Sequence, residues 1–416
     1  MSVLRRNIFS LFILQGSNYF ITFLTLPYLT RVLGVEGFGI YSLTLSIAQY
    51  FVILIDFGFN LSASKRIAEH QDDPEYISKV FFETIYAKSI LCLISIVGII
   101  IFASLNAYSV IRSELIYTVI MLIGTVLMPI WFFQGIEKLS VVTKLMVFSR
   151  LALLPLFFIF VRSDADVKYA IIIQSSLSLF AGLIAIIYIY KQNLIKVVNF
   201  TSLKIVHTLK DSFPIFIAAL SNSLYTMSTT VIIGIFSNVY EVSIFTAADR
   251  MKGAILGVFL ILGNAFYPRI NSLLVNNKDQ AYSLIRKIFY WQGALCTAII
   301  IFVIIFSKSI TQIMFGDEYS AVSDLLILFS PVYFLVLQSA VLGNYILLTH
   351  GHKKEYTILP MASAIIHIPL CAYLASKYGA WGGIISIITA ETFTLILLIL
   401  ILKRKKLLLE VLYNIK

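Results

Sequence analysis

An ionisable side chain inside a long apolar stretch costs several kcal/mol unless something compensates it, so each one asks for a function or a partner. Lys88 stands in FFETIYAKSILCLIS and Arg150 in KLMVFSRLALLP. Both sit a turn or two inside the end of an apolar run. There the long stem reaches back to lipid headgroups, or the charge faces a polar cavity. Arg31 in LPYLTRVLG, and Arg250 with Lys252 in AADRMKG, lie at run ends, where they extend such a lining or anchor at an interface. Carboxylates have shorter reach. Glu391 in SIITAETFTLIL is the deepest charge by position, Asp56 closes an apolar run, and Asp249 precedes Arg250. An acid in such surroundings carries a proton or neutralises a cation. Asp249 and Arg250 are adjacent, so on a helix they point about 100° apart and serve different neighbours.

A cationic lining suits a moving group that is anionic, such as a phosphate or pyrophosphate, and suits a lipophilic cation poorly. No metal or cofactor is expected. His350 and His352, in THGHKKE, share a short loop with two lysines and have no acid or thiol cluster nearby. Cys92, Cys296 and Cys371 each stand alone in apolar runs and read as small hydrophobes. No nucleophile–base set, glycine-rich phosphate loop or pair of acids occurs at informative spacing. The 32 Phe, 23 Tyr and 3 Trp suit either stacking on sugar faces or interfacial belts.

The elements that must position these groups follow from composition. The chain has 416 residues, 59% apolar or aromatic and only 13% charged, with a net charge of +11. A soluble domain is about 45–50% apolar and about 25% charged. A soluble enzyme, a disulfide scaffold and a disordered chain are therefore excluded, and the apolar residues suffice for roughly twelve membrane crossings. The cations fall in short clusters between apolar runs, which argues against a nucleic-acid partner. Apolar runs place spans at 8–29, 38–56, 84–105, 115–133, 145–161, 169–190, 213–236, 251–267, 289–306, 325–348, 357–375 and 382–402. The basic loops, from Arg5 and Arg6 through Lys196, Lys204 and Lys210 to Lys403, Arg404, Lys405, Lys406 and Lys416, orient both termini to the cytoplasm. The first run is too long for a signal peptide and lacks a cleavage site, so it is expected to be a retained span. The longest loop, 57–83, is expected to hold an amphipathic surface helix.

An offset of about 204 residues aligns the first six spans with the last six. GIYSLTLSI (39–47) falls on SIFTAADRM (243–251), Asn60 on Asn264, and Arg66-Ile67 corresponds to Arg269-Ile270. Both halves keep the same orientation, the parallel repeat found in many secondary transporters. The expected fold is an all-α polytopic membrane protein of about twelve helices in two pseudo-symmetric six-helix lobes, 1–200 and 201–416. Pro27, Pro129, Pro155, Pro214, Pro268, Pro331, Pro360 and Pro369 lie in or at the ends of spans, and Pro74 lies in a loop. Each span proline is either a bending point or ordinary membrane-helix usage. Gly253 with Gly257, and Gly379 with Gly383, are expected to mark close helix packing.

Several segments carry a resemblance: LPYLTRVLGVEGFGIYSLTLSI (26–47), DFGFNLSASKRIA (56–68), PIWFFQGIEK (129–138), EVSIFTAADRMKGAI (241–255), YPRIN (267–271), FGDEYSAVSDLLILFSP (315–331) and YGAWGGIISIITAETF (378–393). In that order, over nearly the whole chain, they resemble the polysaccharide-biosynthesis flippases, which include bacterial O-antigen flippases. These belong to the multidrug/oligosaccharidyl-lipid/polysaccharide superfamily. Trp131-Phe132-Phe133-Gln134-Gly135-Ile136-Glu137 is the most specific piece. The resemblance implies a bacterial inner-membrane carrier, not an enzyme, that moves an undecaprenyl-pyrophosphate-linked sugar unit to the periplasmic leaflet. It implies a V-shaped two-lobe bundle with a cationic central cavity, coupled to an ion gradient (proton or sodium), with membrane lipids and other polysaccharide assembly proteins as partners. Basic residues of that family match Arg31 and Arg250, and acids match Asp249 and Glu391; Lys88 and Arg150 match more loosely. The alternatives are a drug or cation antiporter of the same superfamily, which needs an acidic cavity, and a membrane-embedded polysaccharide polymerase or glycosyltransferase. That last class usually needs a large outer loop, and the outer loops here are short.

Overall fold

A computed structural model describes residues 3–196 and 204–413. The side chains of Arg5, Arg6 and Asn264, and the residue Lys416, lie outside the described set. Among the described residues every regular element is helical: α1 (Val3–Asp56), α2 (Phe59–Ala68), α3 (Pro74–Ser104), α4 (Arg112–Tyr117), α5 (Val119–Leu127), α6 (Ile130–Gly135) and α7 (Leu139–Phe160). The remainder are α8 (Val167–Lys191), α9 (Ile205–Phe236), α10 (Val239–Asn276), α11 (Lys278–Met314), α12 (Ala321–Ala340), α13 (Lys353–Arg404) and α14 (Leu407–Tyr413). Among the described residues eight helical runs are long and apolar enough to cross a membrane, or nine if the bent α9 counts as one span. α12 runs on into a π-helical segment, Val341–Leu348. The chain divides into two compact units, Met1–Leu220 and Ser221–Lys416, so the boundary falls inside α9.

α1 and α13 each comprise two helices joined at a single non-helical glycine. Gly34 (φ 64°, ψ −177°) interrupts α1 between the spans expected at 8–29 and 38–56. Gly379 (φ 54°, ψ −128°) does the same in α13 between 357–375 and 382–402. A residue with a Cβ resists that left-handed φ. The segment 57–83 is helical almost throughout. Phe57 (φ 42°) and Gly58 (φ 78°) break α1 from the amphipathic α2, and α3 begins nine residues before Glu83. Pro74, read from sequence as a loop residue, is the first residue of α3. Asp73 caps it by accepting from the backbone N–H groups of Glu75 and Tyr76, both at 3.0 Å. The second unit has no break equivalent to Phe57-Gly58, and α10 runs unbroken from Asn238, whose side chain caps it through Glu241 N–H at 2.9 Å.

In the first unit, α5 and α8 approach closely because Gly124 faces the Ser178–Leu179 backbone and Gly182 faces Leu127 and Met128. The motif Trp131-Phe132-Phe133 is completely buried; Phe132 packs edge-on against both Phe81 and Phe133, and Trp131 lies tilted against Phe81. Met128 is extended (φ −90°, ψ 99°), as the residue before a proline tends to be, so Pro129 separates α5 from α6. Pro27, Pro155, Pro214, Pro268, Pro331, Pro360 and Pro369 lie inside helices. On α3, Leu93, Ile94, Val97, Ile100 and Ile101 are more than half exposed and suit hydrocarbon contact.

The expected glycine packing is only partly met. Gly383 does sit against Ile233 and Thr229, while Gly379 works as a hinge. Among the described residues a Cβ on Gly253 would meet nothing within 4 Å. The second unit's core includes Ile270, Ile285, Leu342, Ile346, Leu398 and Leu402, and the short α14 closes it with Leu407, Leu408, Val411 and Leu412.

Candidate functional site

The sequence-derived candidates separate into local groups within each unit. In the first, Asp56 ends α1 and Lys88 lies four turns into α3. The Lys88 Nζ donates to Asp56 Oδ1 at 2.9 Å. The Lys88 side chain is 1% exposed and Asp56 35%, so Lys88 does not reach to headgroups. Its charge is matched inside its own unit. Arg31 lies exposed on α1, three residues before the Gly34 hinge. Arg150, on α7, stands in a separate cavity of about 190 Å³ whose walls include Gln49, Thr125, Gln174 and Ser178 but neither Lys88 nor Asp56.

In the second unit, Asp249 and Lys252 lie one helical turn apart on α10 and form an ion pair. The Lys252 ammonium also sits 4.8 Å from the centroid of the buried Phe329 ring of α12. Arg250 and Glu391 are half-buried. Asp249 thus pairs with a residue one turn along its own helix.

Two buried polar groups were missed by sequence reading. Glu83 is 1% exposed and ties three helices together. It accepts from Arg66 Nη2 at 2.7 Å, Thr208 Oγ1 at 3.0 Å and Lys204 N–H at 2.9 Å, while Arg66 Nη1 donates to Thr208 at 2.9 Å. In the sequence Glu83 stands at the end of the 57–83 segment expected to be a loop. An acid flanked by FF and TI was the available signal. His367, alone in the apolar run SAIIHIPL, is 1% exposed and lies 3.0 Å from Thr229 Oγ1.

The loop histidines are also better supplied with acids than the sequence suggested. His352 lies 3.7 Å from Glu355. The His350 ring lies between Ile346 O at 2.7 Å and Tyr282 Oη at 3.2 Å, and Tyr282 Oη donates to Glu410 at 3.0 Å. Burial pushes the His350 imidazole below its ordinary range, against the pull of the Ile346 carbonyl and of Glu410. Cys92, Cys296 and Cys371 are buried free thiols. Among the described residues no group of three or more His, Cys, Asp or Glu is placed to hold a metal.

Each unit thus holds an exposed or half-buried arginine and one lysine paired with an aspartate. The sequence matches extend along almost the entire chain. A protein of Escherichia coli (strain K12), provisionally named an O-antigen transporter, is 32% identical over 97% of this chain and 98% of its own length. A Shigella dysenteriae protein of the same name is 29% identical over 95% and 99%. The solved structure of the lipid II flippase MurJ in an inward closed conformation superposes with a TM-score of 0.71, at 15% identity, covering 98% of this chain and 89% of that one. An inward-facing MATE multidrug transporter superposes at 0.63, with 15% identity, covering 92% and 97%. At such identity the two structures establish a shared helical transporter fold. The model of the family described as polysaccharide biosynthesis protein matches residues 4–274. The chain is a multi-pass membrane protein and belongs to the polysaccharide biosynthesis protein family.

Proposed function

We propose that this protein is a flippase for a lipid-linked oligosaccharide. Its substrate is an undecaprenyl-pyrophosphate-linked repeat unit of O-antigen or a related surface polysaccharide. It moves that unit from the cytoplasmic to the periplasmic leaflet of a bacterial inner membrane, with both termini in the cytoplasm and an ion gradient, proton or sodium, as the driving force. The observation that carries this reading is the 32% identity over 97% of the chain to a relative named for O-antigen transport. The likeness to a multidrug transporter is one of fold alone and does not favour drug export.

Arg31 and Arg250, which match basic positions of the family, are the cations we assign to the pyrophosphate. Lys88 and Lys252 already face a carboxylate at hydrogen-bonding distance, so each contributes a neutral pair in place of a net positive charge. Asp56, Asp249 and Glu391 are the acids through which an ion gradient would act. Transport needs no bond to be made or broken, which agrees with a protein that is not an enzyme.

The test is deletion of the gene followed by complementation. Loss of surface polysaccharide with build-up of lipid-linked repeat units inside the cell is the expected phenotype, restored by the wild-type gene. The Arg31→Ala and Arg250→Ala variants should fail to restore it at normal protein level. Normal surface polysaccharide in the deletion strain would sink the flippase reading; full complementation by both variants would sink only their assignment.

A further inference from the structure

The Arg150 cavity lies among four helices of the first unit: Gln49 and Val52 come from α1, Met121 and Thr125 from α5, Met146 and Arg150 from α7, and Gln174 and Ser178 from α8. Arg150 is half-buried. Its Nη1 is shut off from solvent and has no hydrogen-bond partner among the described residues. No carboxylate lines the cavity. This sets Arg150 apart from Lys88 and Lys252, whose charges are each matched by an aspartate. A guanidinium in hydrocarbon surroundings is among the most expensive groups to leave without a counter-charge.

The donors beside Arg150 are carboxamides and not hydroxyls. The Thr125 hydroxyl donates to the Met121 carbonyl at 2.8 Å, and the Ser178 hydroxyl lies 3.2 Å from the Ser175 carbonyl and 3.3 Å from that of Met121, so both hydrogens are spent on the backbone. Gln174 Oε1 accepts from Tyr41 Oη at 3.5 Å, which leaves the carboxamide N–H₂ as the end free to donate. Gln49 adds a second carboxamide. The walls thus offer N–H donors and one fixed positive charge, with three methionines, Met121, Met128 and Met146, completing an apolar lining.

Size narrows the occupant. Pockets for drug-sized ligands run about 300–1,000 Å³, and a water takes about 30 Å³. At about 190 Å³ this cavity holds a small ion with a few waters and not a glycan pyrophosphate. We propose that it binds a small inorganic anion of the halide or nitrate class, held by the Arg150 guanidinium and the carboxamides of Gln174 and Gln49. The bound anion neutralises Arg150 and ties α1, α5, α7 and α8 together. This site goes beyond the flippase reading and does not depend on it.

The experiment uses the purified full-length protein in detergent, with no transport readout. Sodium gluconate is exchanged for sodium chloride, bromide or nitrate at constant ionic strength while thermal unfolding is followed. Binding of radiolabelled chloride is measured by equilibrium dialysis. At chloride tenfold above its dissociation constant, the melting temperature should rise by about 3–5 °C, and close to one chloride should bind per chain. Arg150→Gln should abolish both effects, and Gln174→Leu should weaken chloride binding severalfold with the fold intact. If Arg150→Gln does not fold, the wild-type dialysis and Gln174→Leu still decide the matter. Absence of bound chloride, bromide and nitrate effects in the wild type overturns the proposal. So does an unchanged halide effect in Arg150→Gln, or in Gln174→Leu when Arg150→Gln is lost.

Discussion

Asp56 and Lys88 are both charged, yet removing one should cost far more than removing the other. The pair is 2.9 Å apart. At an effective dielectric constant of about 20, that separation corresponds to about 6 kcal/mol of attraction. Asp56→Asn leaves the Lys88 ammonium, on a side chain that is 1% exposed, without its counter-charge, and should destabilise the first unit by about 3–5 kcal/mol. Lys88→Met keeps the packing of the stem and leaves only Asp56, which is 35% exposed and retains access to water; its cost should be about 1–2 kcal/mol. The double variant should resemble Lys88→Met, because no buried charge is left behind. With about 2–4 °C per kcal/mol for a unit of this size, Asp56→Asn should lower the melting temperature by roughly 10 °C. The double variant should regain more than half of that. Thermal unfolding of the four purified proteins in one detergent measures the cycle. Equal costs for the two single variants, with simple additivity in the double, would refute the idea that Lys88 is a trapped charge.

Three further outcomes follow from the second unit. Gly379→Ala forces a Cβ onto a left-handed residue and into the Glu241 carboxylate, which accepts Ala380 N–H at 2.7 Å. It should cost about 1–3 kcal/mol in thermal unfolding, while Gly253→Ala, with open space around its Cβ, should cost nothing or stabilise slightly. Removing residues 407–416 strips the four buried side chains of α14 from the core, and should lower the melting temperature far more than Arg286→Ala, which breaks only the bond to Val411 O at 3.0 Å. The His350 imidazole is held below its ordinary value by burial, so the unfolded chain takes up its proton first as pH falls. Stability should therefore be full above about pH 7 and decline as pH drops below about 6.5, levelling off below the folded-state value; His350→Gln should flatten that decline. A denaturation series across pH 5–8 reads it, and an unchanged slope in the variant would remove His350 as its source.

Much of the candidate site was visible along the chain, but as single residues. Lys88, Arg150, Asp56 and Asp249 stand out because charge is rare in this sequence, and Asp249 with Lys252 is close enough along one helix to be anticipated. Other partners could not be read because they join distant segments. Lys88 and Asp56 are 32 residues apart, Glu83 and Thr208 125, and Tyr282 and Glu410 128. Glu83 and His367 escaped notice for the same reason. Beside a predicted helix end or alone in an apolar run, such a residue looks solvated or incidental until another helix covers it.

The sequence by itself determined the solvent, the helical class, the order of the spans and the family. Those depend on composition, on runs of about twenty apolar residues and on short motifs such as Trp131-Phe132-Phe133, all of which are local. Tertiary structure decided which charge each lysine meets and where each cation sits. It paired Lys88 and Lys252 with aspartates, gave Arg150 a cavity without a carboxylate, and made Gly34 and Gly379 the kinks that separate successive helices. The physical reason is that the cost of a charge in a membrane is set by what lies within a few ångströms of it. That neighbourhood is made by helix packing, not by sequence proximity.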